Sequence, residues 1–417
     1  MKRLALIVAA LLLAPAPAGA ADLLIRGARV HTAGAAGTLE NADVLVQDGR
    51  IAAVGGGLAA PPGATVVEAN GRPVTPGLFG GVTQFGLEEV SLEASTFDAE
   101  LKLTAPAWQH MWRPEFDVTP AFNARSAVLP VMRVEGVSWG MLSPLAADSL
   151  IIGQGSAVTL DGRYDAALQG SRSLFVNWGS DAHDASGGSR AAQYMLFDQA
   201  IREVREPGTS GAAALLLPEG RAALKAYLAG GRVVFYVNRA SDIRAVARFA
   251  AARGMKPVIA GGAEAWIVAR ELADAGVPVI LDPLENLPGD FDRLGARFEN
   301  AKILHEAGVR IAFSQSDGFH LRKNRQLAGN AVAHGLPWEA GLAAITSGPA
   351  EIFGLGGTRG RIEKGQAADL VLWSGDPLEV TTVAENVWLA GRPVEMRSRQ
   401  TELRDRYLER VKAHSAR

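Results

Sequence analysis

Few side chains in this 417-residue chain are placed to do chemistry, and their spacing limits what they could do. There are seven histidines, His31, His110, His183, His305, His320, His334 and His414, and no two stand in an H-x-H or H-x-x-x-H arrangement. Cysteine is absent, which excludes thiolate catalysis, thiolate metal ligation and disulfides. The one suggestive pair is Asp317 and His320, a carboxylate and an imidazole three residues apart. Together they could offer two ligands to a single divalent ion such as zinc, and a working site needs at least one more. His305 and His334 fall on helical stretches, where a surface histidine is the ordinary occupant.

The elements that would position such groups can be read from the apolar pattern. Val233–Val237, Lys256–Ala260, Val277–Leu281 and Arg310–Ser314 are short, largely apolar runs separated by amphipathic stretches. One of these begins near Ser241, read as an N-cap, with Ile243, Val246, Ala247 and Ala250 on one face. Another runs from Ala265 to Ala275, where Glu264 and Trp266 read as an N-terminal charge and a packing aromatic. Continuous apolar strands alternating with such helices predict a parallel sheet covered by helices, and at this length an eight-stranded β/α barrel. Gly136–Leu142 reads as a further strand and Arg190–Val204 as a helix. The rest of the stretch from 86 to 230 has no clear period.

The two ends of the chain read differently. Leu23–Gly27 and Ala42–Gly55 form strands around Asp48-Gly49, a strong hairpin signal because both turn residues tolerate positive φ. Gly360–Trp373 and Val387–Val394 repeat that style near the C-terminus. Neither group suffices for a domain, so both are expected to close into one small β-sandwich. The expected organisation is a leader over 1–20, sandwich over 21–75, barrel over 76–356, sandwich again over 357–396, and a helical tail over 397–417. The leader expectation rests on Lys2, Arg3, the apolar run Leu4–Ala14 and Ala18-Gly19-Ala20, which predict cleavage after Ala20 and a periplasmic or secreted protein. The apolar run is too short to span a bilayer. A net charge of −2 with no basic block beyond the leader argues against a nucleic-acid partner.

Three segments carry a family resemblance. Val74-Thr75-Pro76-Gly77-Leu78-Phe79-Gly80-Gly81-Val82-Thr83-Gln84-Phe85 resembles the barrel-opening stretch of the amidohydrolase superfamily, V-x-P-G-[LF]-I-D-x-H-x-H. Ala344–Leu355 is similar to its A-x-T-x-x-P-A-x-x-x-G-L pattern, and Gly360–Pro377 to its closing G-x-I-x-x-G-x-x-A-D-L-V-L-W. The likeness is nearest to exported, imidazolonepropionase-like members. It implies a barrel inserted in a sandwich, hydrolysis of C–N bonds, and a metal centre at the barrel mouth.

Carried across position by position, the resemblance places the first two ligands at Val82 and Gln84, the fifth-strand ligand at Tyr236 and the sixth-strand ligand at Gly261. None of these is an imidazole. Asp317 alone matches, in the place of the aspartate that takes a proton from metal-bound water, and is the candidate catalytic residue. Gln84, Tyr236, Asn238, Arg239 and His320 are expected to line a polar pocket there. The functional expectation is an amidohydrolase relative without a metal cofactor that acts as a binding or partner subunit. It would bind a small molecule, an intact amidohydrolase relative or a second copy of itself. The alternative is an active amidohydrolase acting on non-peptide C–N bonds or dipeptide-like substrates, with a rebuilt site that holds one divalent metal such as zinc or none.

Overall fold

The computed structural model describes residues 22–90, 93–101, 112–145, 150–208, 210–315 and 323–415. The expected leader lies outside the described residues. Strands from both ends of the chain form one eight-stranded sheet. Leu23–His31, Thr38–Gln47, Arg50–Gly55, Thr65–Glu68 and Pro73–Pro76 come from the N-terminal side, and Leu370–Trp373, Ala384–Leu389 and Arg392–Pro393 from the C-terminal side. The two sets join where Leu370–Trp373 runs antiparallel to Pro73–Pro76, with Val371 opposite Thr75. There Trp373 donates its indole N–H to Thr75 Oγ1 at 2.9 Å. Asp48 and Gly49 take φ of 50° and 73°, the left-handed pair that a two-residue hairpin loop requires. Ile25, Val30, Val44, Val74, Leu370 and Leu372 bury this sheet's apolar face.

The central region is α/β. Ser173–Asn177, Arg232–Val237, Lys256–Gly261, Val279–Leu281 and Ile311–Phe313 are parallel neighbours in a six-stranded sheet. Its sixth strand, Ile151–Gly155, runs antiparallel to Ser173–Asn177. A smaller sheet pairs Leu78–Thr83 in parallel with Val137–Leu142, which runs antiparallel to Ala157–Thr159. Among the described residues these ladders form two sheets and not one continuous ring. The departure from a regular repeat has a local cause. Between Ile151–Gly155 and Ser173–Asn177 the chain holds a short strand and no helix, and only a parallel neighbour needs a helical crossover. Single bonds link the sheets: Leu142 N–H donates to Ser156 O at 3.1 Å, and Val82 N–H to Ser314 Oγ at 2.9 Å.

Both faces of the parallel strands are apolar, as their unbroken runs require. On Arg232–Val237, Val234 and Tyr236 turn to an inner cluster with Phe79, Val82, Phe175 and Ile280. Val233, Phe235 and Val237 turn to the helix-covered side. The helix Ala240–Ala251 buries Ile243, Val246, Ala247 and Ala250, the stripe anticipated from its period. It starts earlier than expected, with Arg239 and not Ser241 at the N-cap. The reason lies in a neighbour: Glu264 Oε2 accepts the Ala240 N–H at 2.9 Å, so no hydroxyl cap is required. The Ala265–Ala275 stretch divides into a 3₁₀ turn, Ala265–Val268, and a short helix, Ala269–Asp274. A largely exposed helix, Arg399–Ser415, ends the described chain.

Candidate functional site

At the carboxyl ends of the parallel strands lies a cavity of about 510 Å³. Successive strands deliver its wall: Asn177, Asn238, Gly261, Asp282 and Ser314 each end or directly follow a strand, and Gln84 follows Leu78–Thr83. Strand ends suit a site because the backbone there is held rigidly by the sheet while side chains project beyond it.

The positions where the resemblance puts metal ligands are tied up by the protein itself. Tyr236 Oη lies 2.8 Å from Ser143 Oγ. The Ser143 hydroxyl donates to the Pro144 carbonyl at 3.0 Å, so the phenol donates to Ser143. Burial pushes the Tyr236 hydroxyl up to about 12, against a weaker opposing effect of the Ser143 hydrogen bond, so it stays protonated. Gln84 donates its Nε2 to the same serine's backbone carbonyl at 3.2 Å. Val82 presents only methyl groups, packed in the inner cluster.

Gly261 has φ of 87°, and a Cβ built there would lie 2.5 Å from Asn238 Oδ1. No side chain fits without displacing Asn238. A neutral phenol, an amide, a valine and a glycine crowded by Asn238 are not a donor set for zinc. Among the described residues no three histidine, aspartate or glutamate side chains converge as metal ligands.

Asn238 is buried, its Oδ1 accepting the Ala263 N–H at 3.4 Å. Arg239, expected beside it, does not line the cavity. Its side chain is exposed, and its carbonyl accepts the Ile243 N–H at 2.9 Å at the start of the next helix. The reason is register: one residue beyond Asn238 the chain turns into the helix, and the side chain turns outward with it. Asp317 and His320 lie outside the described residues, two and five positions beyond Gln315 on the cavity wall.

The acidic part of the wall was not anticipated. Asp282, Glu285 and Arg293 line it, with Asp181 exposed on the rim. Burial holds the carboxyls of Asp282 and Glu285 above their ordinary values. For Asp282 the Leu284 N–H, at 2.9 Å, and the Gln315 side chain oppose that shift, and for Glu285 the Arg293 guanidinium does. Arg293 is shared, its Nε 2.7 Å from Glu285 and its Nη1 2.6 Å from Asp290. A sequence signal existed for Asp282, which directly follows the anticipated strand Val277–Leu281. None existed for Glu285 and Arg293, which stand in an irregular loop.

Behind this wall Arg190 joins two buried carboxylates, with Nε 2.8 Å from Asp242 and Nη2 paired with Asp292. Asp292 Oδ2 also accepts the Ser180 N–H at 2.9 Å. The network ties the loop carrying Asp181 to the loop carrying Arg293. Glu264 and Trp266 are structural: Glu264 Oε1 accepts the Gly295 N–H at 2.9 Å, and Trp266 Nε1 donates to Gly295 O at 2.8 Å.

Comparison with known proteins agrees with this architecture. Residues 211–395 match the model of an amidohydrolase family. An amidohydrolase, tasK, from Hapsidospora irregularis is 41% identical over 91 residues, which are 22% of this chain and 9% of that protein. An imidazolonepropionase from Acidiphilium cryptum is 32% identical over 133 residues, 30% of each chain. The matched stretches thus span less than a third of either relative. The crystal structure of an amidohydrolase from Thermotoga maritima superposes with a TM-score of 0.78 at 24% identity, covering 90% of this chain and 100% of that one.

Proposed function

As the chain belongs to the amidohydrolase superfamily, whose members hydrolyse C–N bonds, we propose that it has lost the metal centre and uses the barrel mouth to bind a small organic ligand. The observation that carries this reading is the Gly261–Asn238 contact, where a ligand side chain has neither a Cβ nor room for one. In the same reading the two central sheets are arcs of one eight-stranded barrel, and the sheet built from both chain ends is the sandwich into which it is inserted. An intact amidohydrolase relative or a second copy of this chain is the proposed partner. Export through a leader cleaved after Ala20 is proposed from Lys2, Arg3 and the apolar run alone.

The test is elemental analysis of purified, dialysed protein together with melting in the presence of a chelator. Substoichiometric zinc, manganese and iron with unchanged melting is the expected result. One or two tightly held metal ions per chain would overturn the reading and return Asp317 and His320 to the role of ligands. C–N hydrolysis with a rebuilt site is the competing reading, favoured by Asp282 and Glu285 in the mouth. Turnover of N-acyl amino acids by metal-free protein would select it.

A further inference from the structure

The mouth holds more than acidic side chains. Gln84 and Asn238 are 6% and 8% exposed, and both line the cavity. Gln84 spends its Nε2 on the Ser143 carbonyl, which turns its Oε1 outward, and that oxygen accepts no hydrogen bond among the described residues. Asn238 is oriented the other way. Its Oδ1 takes the Ala263 N–H, which leaves Nδ2 as a free donor among the described residues. Two amides more than nine-tenths buried thus each present one unspent polar atom to the cavity, where a ligand can complete it. They ask for complementary groups, a donor against Gln84 and an acceptor against Asn238.

Charge narrows the choice. Among the described residues the ionisable cavity lining is Asp181, Asp282, Glu285 and Arg293, together with the protonated Tyr236. Arg293 is engaged by Glu285 and Asp290, so it has little left for an anion. Asp282 has no salt-bridge partner among the described residues; its oxygens meet the Leu284 N–H and the Gln315 side chain. The wall also carries apolar side chains, Val82, Ile152, Ile280 and Leu284 among them, beside the polar Asn177, Ser314 and Gln315. The loop that carries Glu285 and Arg293 also exposes Leu287 at 71% and Phe291 at 87%. Large apolar side chains exposed beside a cavity are a familiar mark of a binding surface.

We infer that the mouth takes an amphiphilic organic cation, a protonated amine with a nearby carbonyl and an apolar body. Its ammonium lies against Asp282 and Gln84 Oε1, its carbonyl against Asn238 Nδ2, and its apolar body against the Val82–Ile280 wall. An anionic ligand would meet unpaired carboxylate at close range, a repulsion that the low dielectric of the cavity strengthens. This assignment rests on the mouth being a ligand site and adds the chemical class that it selects.

Calorimetric titration with three matched compounds tests it: L-phenylalaninamide as cation, 3-phenylpropanamide as neutral analogue and 3-phenylpropanoate as anion. The cation is expected to bind at least about tenfold tighter than the neutral amide, and the anion not at all. Asp282→Asn should collapse that ratio to about one, and the wild-type ratio decides if the variant does not fold. Equal or tighter binding of the anion, or no binding by any of the three, overturns the charge assignment. Binding that favours the neutral or anionic compound would still leave the mouth a ligand site. Tightly held metal in the same preparation would instead remove the reading beneath it.

Discussion

Tyr236 and Gln84 stand on different strands of the mouth and converge on one residue, Ser143, the first through its hydroxyl at 2.8 Å and the second through its carbonyl at 3.2 Å. Positions that the superfamily resemblance assigns to metal ligands are here cross-braced by a serine. The Tyr236 hydroxyl and the Gln84 Nε2 are spent within the protein, and satisfied buried groups hold a rigid arrangement. Tyr236→Phe removes one neutral hydrogen bond and leaves Ser143 its bond to Pro144. We expect a loss of about 0.5–1.5 kcal/mol in denaturant unfolding, with no change in bound metal. A change in metal content on this substitution would contradict the bracing role.

Gly261→Ala should be more costly than its size suggests. The residue takes φ of 87° and the new methyl would meet Asn238 Oδ1 at 2.5 Å, so backbone strain and a clash add. A loss of roughly 2–4 kcal/mol is expected, of which about 1–2 kcal/mol is the backbone share. In an Asn238→Ala background the clash vanishes and only the backbone share should remain. A double-mutant cycle with no coupling would show that the contact is not what excludes a side chain.

Asp282→Asn should stabilise the protein at neutral pH. Burial raises the Asp282 pKa above the unfolded value of 3.8, so the folded state holds its proton more tightly than the unfolded chain. Stability from this group is therefore greatest below 3.8 and falls as pH rises through the higher folded value. The amide removes that burden and can still accept the Leu284 N–H. Melting should rise by a few degrees at pH 7, and the gain should disappear below about pH 4. A variant that melts lower than the parent at pH 7 would mean the carboxylate is paired.

Arg190→Gln acts in the opposite direction. It strips the shared cation from Asp242 and Asp292, which are 7% and 4% exposed. The Arg190 side chain is itself 31% exposed, which lowers the cost below the ~3–5 kcal/mol of a fully buried pair, to roughly 2–3 kcal/mol. For Asp292, burial works to raise the pKa, but hydrogen bonds from Ser180 and Arg190 outweigh it and the net shift is downward. A depressed value stabilises above 3.8 and is lost as pH falls through the folded value, so the gap between parent and variant should narrow in acid. Urea unfolding at several pH values measures it.

Much of the architecture was legible in the linear pattern. The unbroken apolar strands, the Ile243–Ala250 stripe and the Asp48-Gly49 turn depend on local periodicity and backbone preference, which neighbouring residues carry between them. The residue types at Val82, Gln84, Tyr236 and Gly261, where the resemblance places ligands, were equally open to reading, since none is an imidazole in any fold. What each of these positions does was not. Gln84 and Tyr236 meet on Ser143 because distant strands bring them there, and Gly261 is constrained by Asn238 on the neighbouring strand. The outward turn of Arg239 followed from where its helix begins, which was decided by Glu264 more than twenty residues on. Apart from Asp282, the acidic wall belongs to tertiary structure. Asp282 directly follows a strand while Glu285 and Arg293 stand in an irregular loop, and no period in the sequence links residues whose only relation is that they face one cavity.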